Sequence, residues 1–147
     1  MPSQPTFRPH ATSDRDACLA LFDQNCPTFF APNERAGYQQ FLEDSAFHYD
    51  VCLLHGQVVG AFGLLPDPAG HTLRWILLAP ELQGQGLGSA IMTRVLDGLN
   101  AVGGGRPHIG ASHLSAPFFA RFGAEVVATT PNGWGPEMHR VDMVLEG

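Results

Sequence analysis

The chain contains no lysine; its eight basic residues are all arginine. A P-loop NTPase needs its phosphate lysine, and Schiff-base chemistry needs a reactive amine, so both are excluded. Cysteine is scarce. Cys18, Cys26 and Cys52 form no C-x-x-C pair and have no histidines at zinc spacing, so neither a disulfide framework nor a metal site is expected. Free thiols fit a reducing, cytoplasmic setting. No stretch approaches the run of about 18 apolar residues that spans a membrane, and Met1 to Asp16 has no apolar signal segment, so no membrane association is expected. Positive charge is also short, with 8 basic against 14 acidic residues and a formal net charge of -6. Phosphate backbones need clustered cations, so broad nucleic-acid binding is not expected. Repeats, linkers and low-complexity tracts are lacking as well. The 147 residues therefore read as one domain over 1–147.

Hydrophobic residues make up 44% of the chain, enough for a real core. Phe7 to His10 reads as a short edge strand, because Pro9 cannot donate to a ladder. Ser13, with Asp16 three residues on, is the expected N-cap of a helix that gathers Ala17, Cys18, Leu21 and Phe22 on one face. After a loop from Pro27, Asn33 is the expected cap of a second helix carrying Tyr38, Phe41 and Leu42. Phe47 to Leu54 and Gln57 to Leu65 flank the turn His55-Gly56 as a hairpin, and the cluster Pro66 to Gly70 leads into a strand over Thr72 to Leu78. Leu87, Ile91, Val95 and Leu99 mark a third helix at four-residue spacing. A strand over Pro107 to Ser112 and a short helix over Ala116 to Arg121 follow, then strands over Val126 to Thr130 and Met138 to Leu145 joined by a PNGWGP loop. The layout is α/β, with helices packed on a mixed sheet.

One segment carries chemistry. Between Leu77 and Ser89 an apolar strand runs into Gly84, Gly86 and Gly88, and the last of these opens a helix. The first N–H groups of a helix lack intrahelical partners, and the positive dipole end adds to them, so a pyrophosphate is suited there. A dinucleotide-binding unit would need a third glycine where Ser89 stands. It would also need an acid about 20 residues on, where Gly103-Gly104-Gly105-Arg106 lies instead.

Gln83-x-x-Gly86-x-Gly88, preceded by Leu78-Ala79-Pro80, resembles the (R/Q)-x-x-G-x-(G/A) loop of the GNAT superfamily of acyl-CoA-dependent N-acyltransferases. Phe7 to Thr12 with Asp14 looks like that family's first strand and turn, Cys52 to Leu64 like its central hairpin, and Ser115 to Gly123 like its late helix. The resemblance implies a mixed, mostly antiparallel sheet of about six or seven strands with about four helices, and acetyl-CoA as cosubstrate without a metal. It implies that Gln83, Gly84, Gln85, Gly86, Leu87, Gly88 and Ser89 hold the coenzyme pyrophosphate. Leu77 and Leu78 would bind the pantetheine arm in a gap beside Pro107 to Ser112, with the Leu78 N–H as oxyanion donor. Ser112, Phe118, Arg121 and Arg94 are further candidates for the coenzyme.

The sequence departs from the family at three positions. Thr72 stands for the common glutamate of the fourth strand, Phe119 for the tyrosine that often protonates the leaving thiolate, and Ser112 for an asparagine. An amine with a pKa of about 10.4 is neutral in only roughly one molecule in 2,500 at pH 7, so a base or a water chain is needed. His113 is the foremost candidate; His71, His48 and Asp50 rank below it. The first inter-helix loop (Thr28, Phe29, Phe30) and the last hairpin (Trp134) are the expected acceptor pocket, lined by aromatic side chains. The implied activity is direct transfer of an acetyl group to a primary amine, either a small molecule or a protein or peptide amine. The acidic average field fits a small cationic amine. The alternative is a non-catalytic acyl-CoA-binding module that has lost the glutamate and the tyrosine. A homodimer is compatible with either.

Overall fold

The computed structural model describes residues 5–26, 28–44, 49–67, 70–80, 86–101 and 105–145. Strands β1 (Thr6–Pro9), β2 (Asp50–Leu54), β3 (Gln57–Asp67), β4 (Gly70–Leu78), β5 (His108–Ser112), β6 (Ala124–Gly135) and β7 (Met138–Leu145) form one sheet. Its spatial order is β1-β2-β3-β4-β5-β7-β6. Every pairing is antiparallel except β4 with β5. Helices α1 (Arg15–Asn25), α2 (Arg35–Glu43), α3 (Leu87–Ala101) and α4 (Ala116–Ala120) complete the fold. The expected α/β architecture is the observed one.

The periodicity read from the sequence places the core. Cys18, Leu21 and Phe22 of α1 and Leu87, Ile91, Val95 and Leu99 of α3 are buried, and most join one cluster with Val51, Ala61, Leu73, Leu77 and Ile109 of the sheet. No helix among the described residues is long and apolar enough to cross a membrane.

Both helix starts differ from expectation. Ser13 and Asn33 do not cap α1 and α2. Each helix is preceded instead by a 3₁₀ turn, over Thr12–Asp14 and Pro32–Glu34. The carboxylates of Asp14 and Glu34 reach back three residues and accept the N–H groups of Ala11 and Ala31, both at 2.8 Å. Asn33 is used elsewhere: its Nδ2 donates to the Trp134 carbonyl at 2.8 Å and ties this turn to the last hairpin. The PNGWGP segment is not a free loop either, because β6 runs through it. Asn132, at φ 54°, accepts the Glu137 N–H on its side-chain oxygen at 2.7 Å and donates its own N–H to His139 Nδ1 at 3.0 Å. Those bonds hold the tip until pairing resumes at Gly135↔Met138.

Candidate active site

The site begins where the sheet fails to close. β4 and β5 pair only at Thr72↔His108 and Leu73↔Ile109, after which β5 stays with β7 as far as Ser112↔Arg140. A bulge turns β4 away. The register with β3 shifts between Ala61 and Gly63, and Trp75 takes φ 53°, a value a bulky residue adopts only when its surroundings hold it there. They do hold it. The buried Tyr49 hydroxyl donates to the Trp75 carbonyl at 2.5 Å, and the indole packs against Tyr38, Phe30 and Phe41.

Beyond the bulge, the direction of the backbone groups follows from one bond. Ala79 N–H donates to the Val59 carbonyl at 2.8 Å, which makes Gly60↔Leu78 a non-hydrogen-bonded pair. The N–H and C=O of Leu78 therefore point away from β3, into the gap. Asn25 Nδ2, from the end of α1, donates to that carbonyl at 3.0 Å and to its own helix at Leu21 O at 2.8 Å. The Leu78 N–H is aimed the same way. Leu77 does not serve as expected: its side chain is buried in the core, and its backbone groups, one residue before Leu78, turn back towards β3.

The glycines do two different jobs. Gly86 sits at φ +82°, where a side chain would be strained. Gly88 is required by close approach: a Cβ there would lie 2.7 Å from Cε1 of Phe118 on α4. Ala90 N–H bonds the Gly86 carbonyl at 3.0 Å, so the N–H groups of Leu87, Gly88 and Ser89 precede the first intrahelical donor and have no intrahelical acceptor. Leu87 itself is buried and offers its backbone only. Gln83, Gly84 and Gln85 lie outside the described residues.

A cavity of about 1290 Å³ joins these pieces. Its lining includes Leu78, Gly86, Gly88, Ser89, Ser112, Phe118 and Arg121, together with Phe29, Phe30 and Trp134. The coenzyme and acceptor candidates thus meet in one space. Thr72 and Phe119, where the family commonly has its glutamate and tyrosine, line it too. Ser112 is buried, and its hydroxyl exchanges bonds with Ser115 in the turn before α4, at 3.1 Å to both the hydroxyl and the N–H. The Arg121 guanidinium lies 5.6 Å from the centre of the Phe118 ring.

Four candidates fall elsewhere. Arg94 stacks over Phe7, 5.4 Å from the ring centre, and does not line the cavity. His113 does not line it either; it borders a shallow recess with Ala116, Val126 and Val141. Its backbone N–H donates to the His139 carbonyl at 3.1 Å, and its Nδ1 accepts the His139 N–H at 3.2 Å, so that lone pair is committed to the turn after β5. His71 and Asp50 are not lining residues. His48 lies outside the described residues.

The cavity also holds residues the sequence reading did not single out. Glu34 is half-buried, and burial pushes its carboxyl above the usual range despite the bond from Ala31 N–H. Arg74, Trp75, His108, Arg140 and Asp142 line the same space. Arg74, His108, Arg140 and Asp142 hold alternating positions on β4, β5 and β7, a pattern visible in the sequence once the three strands are known to be neighbours, whereas Trp75 enters through the bulge. Nothing local marked Glu34, whose position depends on how the inter-helix turn docks.

The family model for the Acetyltransferase (GNAT) family matches residues 18–124. No curated protein matches the sequence. Among solved structures, the chain is similar to a Desulfovibrio desulfuricans protein assigned to the GNAT acetyltransferases, with TM-score 0.81 and 21% identity, covering 97% of this chain and 99% of that one. It is similar to the ribosomal-protein-S18-alanine N-acetyltransferase of Escherichia coli, with TM-score 0.77 and 18% identity over 97% and 93% of the two chains. It is also similar to the protein yncA of Salmonella typhimurium, solved with acetyl-CoA as its cofactor, at TM-score 0.70 and 17% identity over 98% and 94%. These likenesses carry the fold.

Proposed function

The chain belongs to the Acetyltransferase (GNAT) family, and we propose that it transfers an acetyl group from acetyl-CoA directly to a primary amine on a small acceptor. The observation that carries this reading is the gap between β4 and β5, with the Leu78 N–H facing into it and the glycine-led start of α3 lining the same cavity. The residues present suit the coenzyme. Gly88 lets the start of α3 approach α4 closely, the first N–H groups of α3 have no intrahelical partner, and Arg121 adds a cation. The free edge of β4 offers backbone groups to amides, in the manner of an added strand.

When bound, acetyl-CoA supplies an acetyl group activated as a thioester, whose C–S bond breaks as the amine nitrogen takes the acetyl carbon and the sulfur leaves with the electron pair. The chain's own part is positional and electrostatic. The Leu78 N–H, already aimed into the gap, stabilises developing negative charge on the acetyl oxygen. Glu34 accepts the proton of the attacking amine: it lines the cavity, and its raised pKa brings it nearer to working pH. Phe119 has no proton to donate, so the thiolate takes one from water.

Thermal shift tests the coenzyme half of the reading. Acetyl-CoA and coenzyme A should each give a saturable rise in Tm, and NAD and ATP at equal concentration should do much less. A larger shift with NAD would overturn the assignment. Free-thiol release from acetyl-CoA across a panel of amines tests the transfer; binding without turnover of any amine would leave a coenzyme-binding module.

A further inference from the structure

The cavity runs against the charge of the chain. Acidic residues outnumber basic ones by 14 to 8 overall, yet among the described residues the cavity lining holds Arg74, Arg121 and Arg140 against Glu34 and Asp142. The two acids do not restore the balance. Asp142 is committed to Arg140, whose Nε donates to it at 2.9 Å, and burial disfavours the charged form of Glu34.

Strand register puts two of these arginines, Arg74 and Arg140, on one face of the sheet. Thr72 pairs with His108, Gly110 with Asp142 and Ser112 with Arg140. Side chains alternate along each strand, so Thr72, Arg74, His108, Asp142 and Arg140 share one face of the sheet. The alternate positions Leu73, Ile109, Ala111, Val141 and Met143 are buried on the other. Gly110 leaves that shared face open between the arginine-bearing strands, and the Trp134 ring covers it, 3.1 Å from where a Cβ would stand. Trp134 is pinned in turn by its own Nε1 bond to the Ala111 carbonyl at 2.8 Å.

The two guanidinium groups are differently engaged. Arg140 lies 4.6 Å over the Trp134 ring and bonds Asp142 through Nε; among the described residues its two Nη groups make no hydrogen bond. Arg74 lies 5.9 Å from the Trp75 ring centre and makes no hydrogen bond or ion pair among the described residues. An unpaired, planar, five-donor cation on an aromatic wall is suited to a carboxylate, which it meets with two parallel bonds.

We infer that the acceptor is an amine that also carries a carboxylate, an α-amino acid with an apolar side chain being the simplest member. Arg74 receives the carboxylate, and Arg140 lines the same space. Phe29, Phe30 and Trp75 receive the apolar side chain. The inference rests on the acetyltransferase reading and adds the acceptor class to it. The acidic average field favours a cation; the local field favours an anionic handle on the same molecule as the amine.

The test pairs L-phenylalanine, L-leucine and L-methionine with their decarboxylated amines and carboxamides, at saturating acetyl-CoA. We expect kcat/KM at least about ten-fold higher for the acids. Arg74→Gln should raise the KM for the acid about ten-fold and collapse its advantage over the decarboxylated partner, with the KM for acetyl-CoA moving less than about two-fold. A readout independent of turnover is the added thermal shift that the N-acetyl acids, but not the N-acetyl amines, give to protein saturated with coenzyme A. Equal efficiency within the pairs, or equal shifts from both products, overturns this inference and leaves the acetyltransferase reading standing. Absence of any coenzyme shift overturns both.

Discussion

Glu34 has two duties that one substitution separates. Its Oε2 closes the 3₁₀ turn before α2 by accepting the Ala31 N–H at 2.8 Å, and its carboxyl lines the cavity with a raised pKa. Glutamine keeps the acceptor oxygen and loses the ionisation. We expect Glu34→Gln to fold with an unchanged or slightly higher Tm, because a buried carboxylate costs stability once it ionises. Its kcat should fall roughly 10²-fold. If Glu34 is the proposed base, kcat of the unsubstituted protein should rise with pH as its carboxyl, whose pKa burial raises, deprotonates, and that acid limb should vanish in the variant. A retained limb would move the base elsewhere. Phe119 is a milder case. Phe119→Tyr adds a hydroxyl where the family commonly has a proton donor, but nothing nearby was selected to aim it, so a gain in kcat of a few-fold at most is expected.

At the scale of elements, the site depends on how tightly the start of α3 approaches α4. A methyl group at Gly88 would lie 2.7 Å from the Phe118 ring edge, so Gly88→Ala must push the two helices apart or turn the ring. We expect the KM for acetyl-CoA to rise about ten-fold. The double variant Gly88→Ala with Phe118→Leu should recover part of it, since the clash is gone. If the double variant is no better than the single one, the loss comes from the loop's backbone and not from packing. The bulge at Trp75 acts at the same scale. The Tyr49 hydroxyl both bonds the Trp75 carbonyl and meets the Tyr38 hydroxyl at 2.9 Å, so a buried polar pair holds open the gap into which Leu78 points. Burial raises the pKa of both tyrosines, which stay neutral throughout the physiological range.

For the whole molecule, two carboxylates tilt the pH dependence of stability in opposite directions. Asp14 is buried, accepts two bonds from Arg8 at 2.6 and 2.8 Å and takes the Ala11 N–H as well. The Arg8 bonds, helped by Ala11, hold its pKa below the usual carboxylate range. Its stabilisation is therefore complete above about pH 4 and is lost as pH falls towards the depressed folded value. Glu34 has the opposite sign, its contribution being lost as pH rises through its raised value. Asp14→Ala should cost about 1.5–3 kcal/mol at neutral pH, and the cost should shrink in acid. Urea midpoints at pH 7 and pH 3 check both statements. A constant deficit at the two pH values would mean that packing, and not the ion pair, was lost.

Strong local signals were legible without coordinates. The four-residue spacing of Leu87, Ile91, Val95 and Leu99, the alternation in the strands and Gly86 ahead of α3 each depend on neighbours within a few positions, and each appears as read. The match to the family loop followed from the same short stretch. Helix starts failed at finer grain, because Asp14 and Glu34 reach back to the Ala11 and Ala31 N–H groups and close a 3₁₀ turn ahead of each helix, which moves its start past Ser13 and Asn33. The base could not be read locally at all. His113 is close in sequence to the strand that borders the gap, yet the direction of its ring is set by His139 on β7, 26 residues away along the chain. Glu34 enters the cavity because Asn33 docks on Trp134 across 101 residues. Periodicity and glycine geometry are properties of the chain by itself; which charges share a cavity is decided by pairings among β4, β5 and β7, and only the folded sheet makes those.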